Sequence, residues 1–325
     1  MWEHRRVNRH APRPLGRTGL RVSPVGLGMA ALGRPGYINL GHRDDLGPDR
    51  DRASLEARAH DVLDAALAEG VRYVDCARSY GRSEEFVASW LAGRGDDARD
   101  VVVGSKWGYR YTAGWRDDAD VHEVKEHTRA HLDAQWAETR AALGDRVLLY
   151  QIHSATRESG VLEDADIIDG LRRIREGGVA IGLTTSGPHQ ADTVSRAIGL
   201  GVFDAVQSTF NVLESSVGEA LAAAHAAGMG VIVKEAVANG RLTDRGDADR
   251  FAARAELLGA SPDAVAIAWV LAHPFVDCVL SGASTRAHLR SNLVGLDLDV
   301  DPAAFADLSE DPQDYWGARS GLEWN

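Results

Sequence analysis

The chain predicts an α/β fold, a (β/α)8 TIM barrel with long βα loops, on three observations. Eight short β-branched or aliphatic runs recur along its 325 residues, and each is followed by a polar loop and a helix-like stretch. Four polar side chains that suit no ordinary core, Asp75, Tyr80, Lys106 and His153, fall at or just after the ends of these runs. The length matches such barrels, which take roughly 250 residues and often more. A doubly wound sheet would carry a Gly-rich turn after its first strand and an acidic residue about twenty positions later. Gly26, Gly28 and Gly33 have the wrong spacing for that turn, and a long loop rather than a helix follows them.

Taken in order, the predicted strands cover residues 24–28, 70–74 running into Asp75, 100–105 running into Lys106, and 147–152 running into His153. The rhythm continues at 179–183, 203–207, 230–234 and 276–281. In a barrel, groups at the carboxyl ends of different strands converge on one face, so residues as remote in sequence as Asp75 and His153 can share a site. Residues 1–13 carry four arginines and no apolar run, and read as a flexible extension; residues 14–325 read as one domain.

Composition narrows the function. Hydrophobic content of 44% and charged content of 26% are those of a soluble globular chain. A net charge of -12 argues against nucleic acid or an anionic membrane as partner and leaves a small molecule. The two cysteines, Cys76 and Cys278, have neither metal nor redox spacing and read as reduced core thiols of a cytoplasmic protein. No His-x-His closes a strand, and His122, His127 and His131 lie away from strand ends, so a metal-dependent hydrolase is disfavoured and no metal is expected.

Tyr, Lys, Asp and His at a barrel mouth can protonate a carbonyl oxygen. A phenol of pKa near about 10 donates poorly at neutral pH. An ammonium about 4 Å away would favour the phenolate by up to about 4 kcal/mol, so Lys106 is expected to acidify Tyr80. Asp75 would keep Lys106 charged, and His153 would orient the ligand oxygen.

These residues sit in recognisable strings. Residues 74–81, Val-Asp-Cys-Ala-Arg-Ser-Tyr-Gly, resemble the Asp-x-Ala-x-x-Tyr-Gly signature of aldo-keto reductases. Residues 15–23 with Gly26-Leu27-Gly28, then Ser105-Lys106-Trp107, Gln151-Ile152-His153 and Leu280-Ser281-Gly282-Ala283-Ser284, are further matches in the family's order. The resemblance implies an NAD(P)(H)-dependent carbonyl–alcohol oxidoreductase with Tyr80 as general acid, Lys106 and Asp75 as its tuning pair and His153 as orienting donor. It also implies an N-terminal β-hairpin that plugs the barrel, with Gly19 at its turn.

By the same resemblance Thr184 and Gln207 would hold the nicotinamide carboxamide, although Thr185 stands where relatives have Asn. Lys234 occupies the place of a stacking ring. Arg241 and Leu242 would line the pyrophosphate channel, and Ser281, Gly282, Ser284, Arg286, His288 and Asn292 the adenosine end. Gly282 and His288 weaken a grip on a 2′-phosphate, so NADP(H) is favoured only modestly over NAD(H). Aromatic residues cluster on the long loops, and Tyr37, Trp107, Trp115 and Trp316 are the candidate substrate pocket. The sequence leaves open the carbonyl substrate, the direction of reaction, a regulatory role with little turnover, and whether the chain forms a homo-oligomer.

Overall fold

The computed structural model describes residues 10–325. The expected extension therefore falls mostly outside the described residues, and Arg13 is already paired in a strand. Chain order runs through β1 (Arg13–Pro14), β2 (Arg21–Val22), β3 (Val25–Gly28), β4 (Tyr73–Asp75), β5 (Val102–Trp107), β6 (Tyr109–Tyr111), β7 (Glu123–Lys125), β8 (Val147–Ala155), β9 (Ala180–Thr185), β10 (Ala205–Thr209), β11 (Gly230–Lys234) and β12 (Cys278–Ser281). Strands β3, β4, β5, β8, β9, β10, β11 and β12 close into a barrel whose neighbours are all parallel.

Helices α1 (His42–Leu46), α2 (Arg52–Ala68), α3 (Ser83–Arg94), α4 (Arg129–Leu143), α5 (Ala165–Glu176), α6 (Gln190–Leu200), α7 (Gly218–Ala226), α8 (Asp249–Leu257), α9 (Pro262–Leu271), α10 (Arg286–Val294) and α11 (Pro312–Ser320) complete the fold. Their starts are written in the sequence: Asp51, Thr128, Asp164, Thr285 and Asp311 each accept a hydrogen bond from a backbone N–H of the first turn. No helix among the described residues is long and apolar enough to cross a membrane.

The strands end later than the apolar runs suggest. β5 extends through Trp107, and β8 through Ala155. The first residues of several runs instead finish the turn from the preceding helix, as at Gly70, whose φ is 86°. Lys106 and His153 therefore lie within strands and not past them, which fixes their side chains to the ladder.

The bottom of the barrel is closed by the β1–β2 hairpin, which buries Leu15 and Val22 completely against Tyr73, Leu149, Ile232 and Cys278. Gly16 has φ of 48°, and a Cβ there would lie 2.2 Å from the Gly230 nitrogen. Only glycine lets the plug approach β11 this closely. The amide of Arg17 then donates to the Gly228 carbonyl at 2.9 Å, and its guanidinium donates to Phe203 O at 2.8 Å.

Candidate active site

The mouth of the barrel inverts the chemistry of its bottom. Asp75 ends β4 and is 2% exposed. Its Oδ1 accepts hydrogen bonds from the Tyr73 hydroxyl at 3.1 Å, Gln207 Nε2 at 3.1 Å and Gln151 Nε2 at 3.3 Å, and its Oδ2 accepts from Lys106 Nζ. Small residues make room for this network: a Cβ on Gly104 would lie 2.5 Å from the Tyr73 hydroxyl, and one on Gly182 would lie 3.2 Å from Gln151 Cγ. A carboxylate and an ammonium are thus buried as a pair whose remaining hydrogen bonds are satisfied, the condition under which buried charge is tolerated.

Lys106 Nζ also donates to the Cys76 carbonyl at 2.9 Å and to the Tyr80 hydroxyl at 3.3 Å. Tyr80 is presented by the turn after β4, where its amide bonds Ala77 O at 3.0 Å. The turn rests on the first βα loop. Gly81 has φ of 59°, a Cβ on it would lie 2.4 Å from Gly33 O, and Arg82 N donates to that same oxygen at 2.7 Å. The Tyr-Gly dipeptide is therefore a steric requirement of the loop contact.

His153 Nε2 lies 3.4 Å from the Tyr80 hydroxyl, and its Nδ1 lies 3.3 Å from Ser79 Oγ. Burial, then Lys106 and Arg34, hold the imidazole well below its usual pKa, so it is neutral at pH 7. Ser79 Oγ can donate to Nδ1, an arrangement that puts the ring proton on Nε2, facing Tyr80. The residue after it, Ser154, takes φ of 55° and donates its amide to Thr184 Oγ1 at 2.7 Å.

The expected acidification of Tyr80 needs correction. Burial and the Asp75 carboxylate raise its pKa well above 10, and Arg34 is the first influence in the opposite direction. The reason is geometric: Lys106 is paired with Asp75, so its charge is largely offset before it reaches the phenol. Tyr80 rests as a neutral phenol in hydrogen-bond reach of one ammonium and one neutral imidazole.

A cavity of about 260 Å³ opens over this group and includes Tyr80, His153, Asp75 and Gln207 in its lining. A second lobe of about 190 Å³ adjoins it and shares Asn39, Val237 and Gly282. Of the sequence-predicted residues, Lys234, Ser281 and Gly282 line the first lobe, and Gly282, Ser284, His288 and Asn292 line the second.

Other expected residues stand elsewhere. Thr184 is fully buried, and its hydroxyl oxygen is occupied by Ser154 N; the neighbouring Ser186 lines the cavity instead. Arg241 is clamped to Glu310 at 2.6 and 2.9 Å and to Asp247 at 2.9 Å, and Leu242 is fully buried. Arg286 turns outward to pair with Asp61. Neither Arg241, Leu242 nor Arg286 lines either lobe.

The aromatic expectations divide likewise. Tyr37 lines the first lobe. Trp107 ends β5, and because strand side chains alternate, the inward Lys106 sends it outward against the His127 ring at 5.6 Å. Trp115 bonds Arg50 O at 3.0 Å and packs on Phe86. Trp316 lies beside the cavity wall, with Lys234 Nζ 5.8 Å from its ring centre. Tyr109 and Trp324 are the rings that join Tyr37 in the lining.

Arg34, Glu123 and Arg319 were not singled out by the sequence. Arg34 is 2% exposed, donates to Ser79 O and Glu123 Oε2 at 2.9 Å each, and sits 5.1 Å from the Tyr80 ring centre. Arg319 of α11 grips Glu235 in a bidentate pair. Burial disfavours the ionised Glu235, but Arg319 and Lys234 hold its pKa down to about 2. Lys234 donates to Thr209 Oγ1 at 2.6 Å, and burial lowers its pKa to about 8. Nothing in the spacing of a lone arginine reveals such roles; the pairing of Lys234 with Glu235 was visible because one charge ends an apolar strand and the other follows it.

Residues 24–310 match the model of the aldo/keto reductase family. The chain belongs to the aldo/keto reductase family. It is 27% identical to an uncharacterised oxidoreductase of Bacillus subtilis (strain 168) over 88% of this chain and 91% of that one. A D-threo-aldose 1-dehydrogenase from a Pseudomonas species is 28% identical, with 89% and 96% covered. The fold is like that of an aldo-keto reductase from Bacillus halodurans in its holo form, with a TM-score of 0.70, 20% identity and coverage of 95% and 96%. The chain is thus an oxidoreductase of a family that uses nicotinamide coenzymes.

Proposed function

We propose that this family member interconverts a carbonyl compound and an alcohol with NAD(P)(H), in the cytoplasm, and that Tyr80 is its general acid and base. The convergence of Tyr80, Lys106, Asp75 and His153 at one end of a cavity carries the reading. The residues present suit a dinucleotide. The cavity has two lobes that share lining residues, and Asn239 presents a buried Oδ1 with no partner while its Nδ2 donates to Asn39 Oδ1 at 3.3 Å.

Gln207, Ser186, Asn239, Ser281 and Gly282 are the groups that would hold the nicotinamide half, and the second lobe would take the adenosine half. When bound, the coenzyme supplies hydride to the carbonyl carbon or accepts it from the alcohol. Neutral His153 donates from Nε2 to the substrate oxygen and fixes its position. Tyr80 transfers its phenolic proton to that oxygen in reduction and recovers it in oxidation. Lys106, 3.3 Å away, stabilises the phenolate as it forms. In this reading the ammonium acts on the charge that develops at Tyr80 and not on the resting pKa.

The mixed lining of Tyr37, Tyr109, Trp324, Arg34 and Glu123 offers ring faces and hydrogen-bonding groups together, which suits a polyhydroxylated substrate. Likeness to the D-threo-aldose 1-dehydrogenase supports a second reading, oxidation of a sugar at its anomeric carbon. Purified protein should change the absorbance of reduced coenzyme with a panel of aldehydes and ketones, or with aldoses plus oxidised coenzyme. Tight coenzyme binding without turnover on either panel would turn the reading toward a regulatory module.

A further inference from the structure

We infer that the coenzyme is NAD(H) rather than NADP(H), and that Asp45 is the residue that selects it. The inference rests on the coenzyme reading above and reverses the slight preference expected from Gly282 and His288. Its ground is the charge of the second lobe. With the nicotinamide beside Tyr80 and His153, the remainder of a dinucleotide would reach this lobe, which shares Asn39, Val237 and Gly282 with the first.

Three carboxylates, Asp45, Asp244 and Asp263, line that lobe against one guanidinium, Arg245. Arg245 is already committed: it bonds Asp45 Oδ1 at 2.6 Å and Oδ2 at 2.9 Å, and reaches the Gly41 carbonyl at 3.2 Å. Gly41 is shaped around it, since a Cβ there would lie 2.5 Å from Arg245 Nη1.

Two groups that could hold a phosphate, Ser284 and His288, instead face Asp45. Ser284 Oγ donates to its Oδ2 at 3.4 Å, and His288 Nε2 lies 3.7 Å from its Oδ1. Arg286, the cation expected here, is spent on Asp61 outside the lobe. A 2′-phosphate would add one and a half to two negative charges beside carboxylates with no free guanidinium to receive it. A ribose 2′-hydroxyl would meet the opposite situation, because a carboxylate accepts its proton in a charge-assisted hydrogen bond.

Asp45 comes from α1 in the first βα loop, far in sequence from the stretch 281–292 that the resemblance assigns to the adenosine end. Its side chain is 10% exposed, and it reaches the lobe only because that loop packs on the β11 loop, where Leu40 N donates to Asn239 O at 3.0 Å.

Calorimetric titration of the intact chain with NADH, NADPH, 5′-AMP and 2′,5′-ADP tests the inference by binding alone. NADH should bind at least about tenfold more tightly than NADPH, and 5′-AMP more tightly than 2′,5′-ADP. Asp45→Asn should narrow both ratios, by loss of the carboxylate and release of Arg245. Tighter NADPH binding by the wild-type chain would overturn the inference while leaving the coenzyme reading intact. Ratios unchanged in a folded Asp45→Asn variant would remove Asp45 from the role. Failure of all four ligands to bind would defeat the coenzyme reading itself.

Discussion

The two ends of the barrel share its strands, with the β1–β2 hairpin added at the bottom, and obey opposite rules. At the bottom, Leu15, Val22, Leu149 and Ile232 are buried among apolar neighbours. At the mouth, the strands carry Asp75, Lys106, Gln151, His153 and Gln207, all of them at most 8% exposed. Apolar burial at the bottom contributes stability through area removed from water, at roughly 1.5–3 kcal/mol for a large aliphatic side chain. Polar burial at the mouth contributes nothing comparable and survives because each charge has partners. The difference implies that the bottom holds the fold so that the mouth can hold a reactive arrangement.

The largest expected effect lies at the mouth. Tyr80→Phe keeps the ring and removes only the transferable proton, so kcat should fall by about a thousandfold while the thermal midpoint and coenzyme affinity stay near those of the wild type. A variant with full turnover would assign the proton transfer elsewhere and dissolve the contrast between the two ends.

Lys106→Met tests whether mouth and bottom are separable. It removes the group proposed to stabilise the Tyr80 phenolate and also leaves Asp75 buried without its cation. Activity should fall by about a hundredfold, and stability by about 3 kcal/mol. Denaturant titration beside single-turnover kinetics separates the two losses. If only stability changes, Lys106 belongs with the scaffold.

Leu15→Ala is the converse. It empties a fully buried site in the plug and should cost about 3 kcal/mol, with kcat per folded molecule unchanged. Lost activity in the folded fraction would mean that the plug governs the geometry of the mouth some distance away.

The barrel was legible because its strands are short apolar runs at regular intervals, and the convergence of Asp75, Tyr80, Lys106 and His153 because the four end or follow those runs. What stayed hidden depends on where loops return in space. Arg34, Asp45 and Arg319 are single charged residues on loops or on a terminal helix, and no periodicity distinguishes them from solvent-facing charges. Trp107 was misplaced for a different reason. The strand continues one residue past Lys106, and a single step along a strand turns a side chain to the other face. Thr184 and Arg241 line neither lobe, because the fold supplies them with protein partners in Ser154 N and Glu310, which residue type and position do not reveal.

The smallest effect concerns a charge pair in the wall of the mouth cavity. Glu235 follows β11 at the mouth, yet its partner Arg319 lies on α11, so the pair ties the C-terminal helix to the barrel. Its pKa is lowered from 4.5 to about 2. For a carboxylate lowered by folding, the unfolded chain binds more protons between these values, so the stabilisation is complete above pH 4.5 and is lost as pH falls through about 2. About 3 kcal/mol should disappear over that window. Glu235→Gln should lack this share of the acid dependence and be less stable at neutral pH, where Arg319 stays buried without its counter-charge. Trp316 lies 5.2 Å from the Arg319 guanidinium carbon and reports locally by fluorescence. Equal slopes of stability against pH in the wild type and the variant would show that other carboxylates drive acid unfolding.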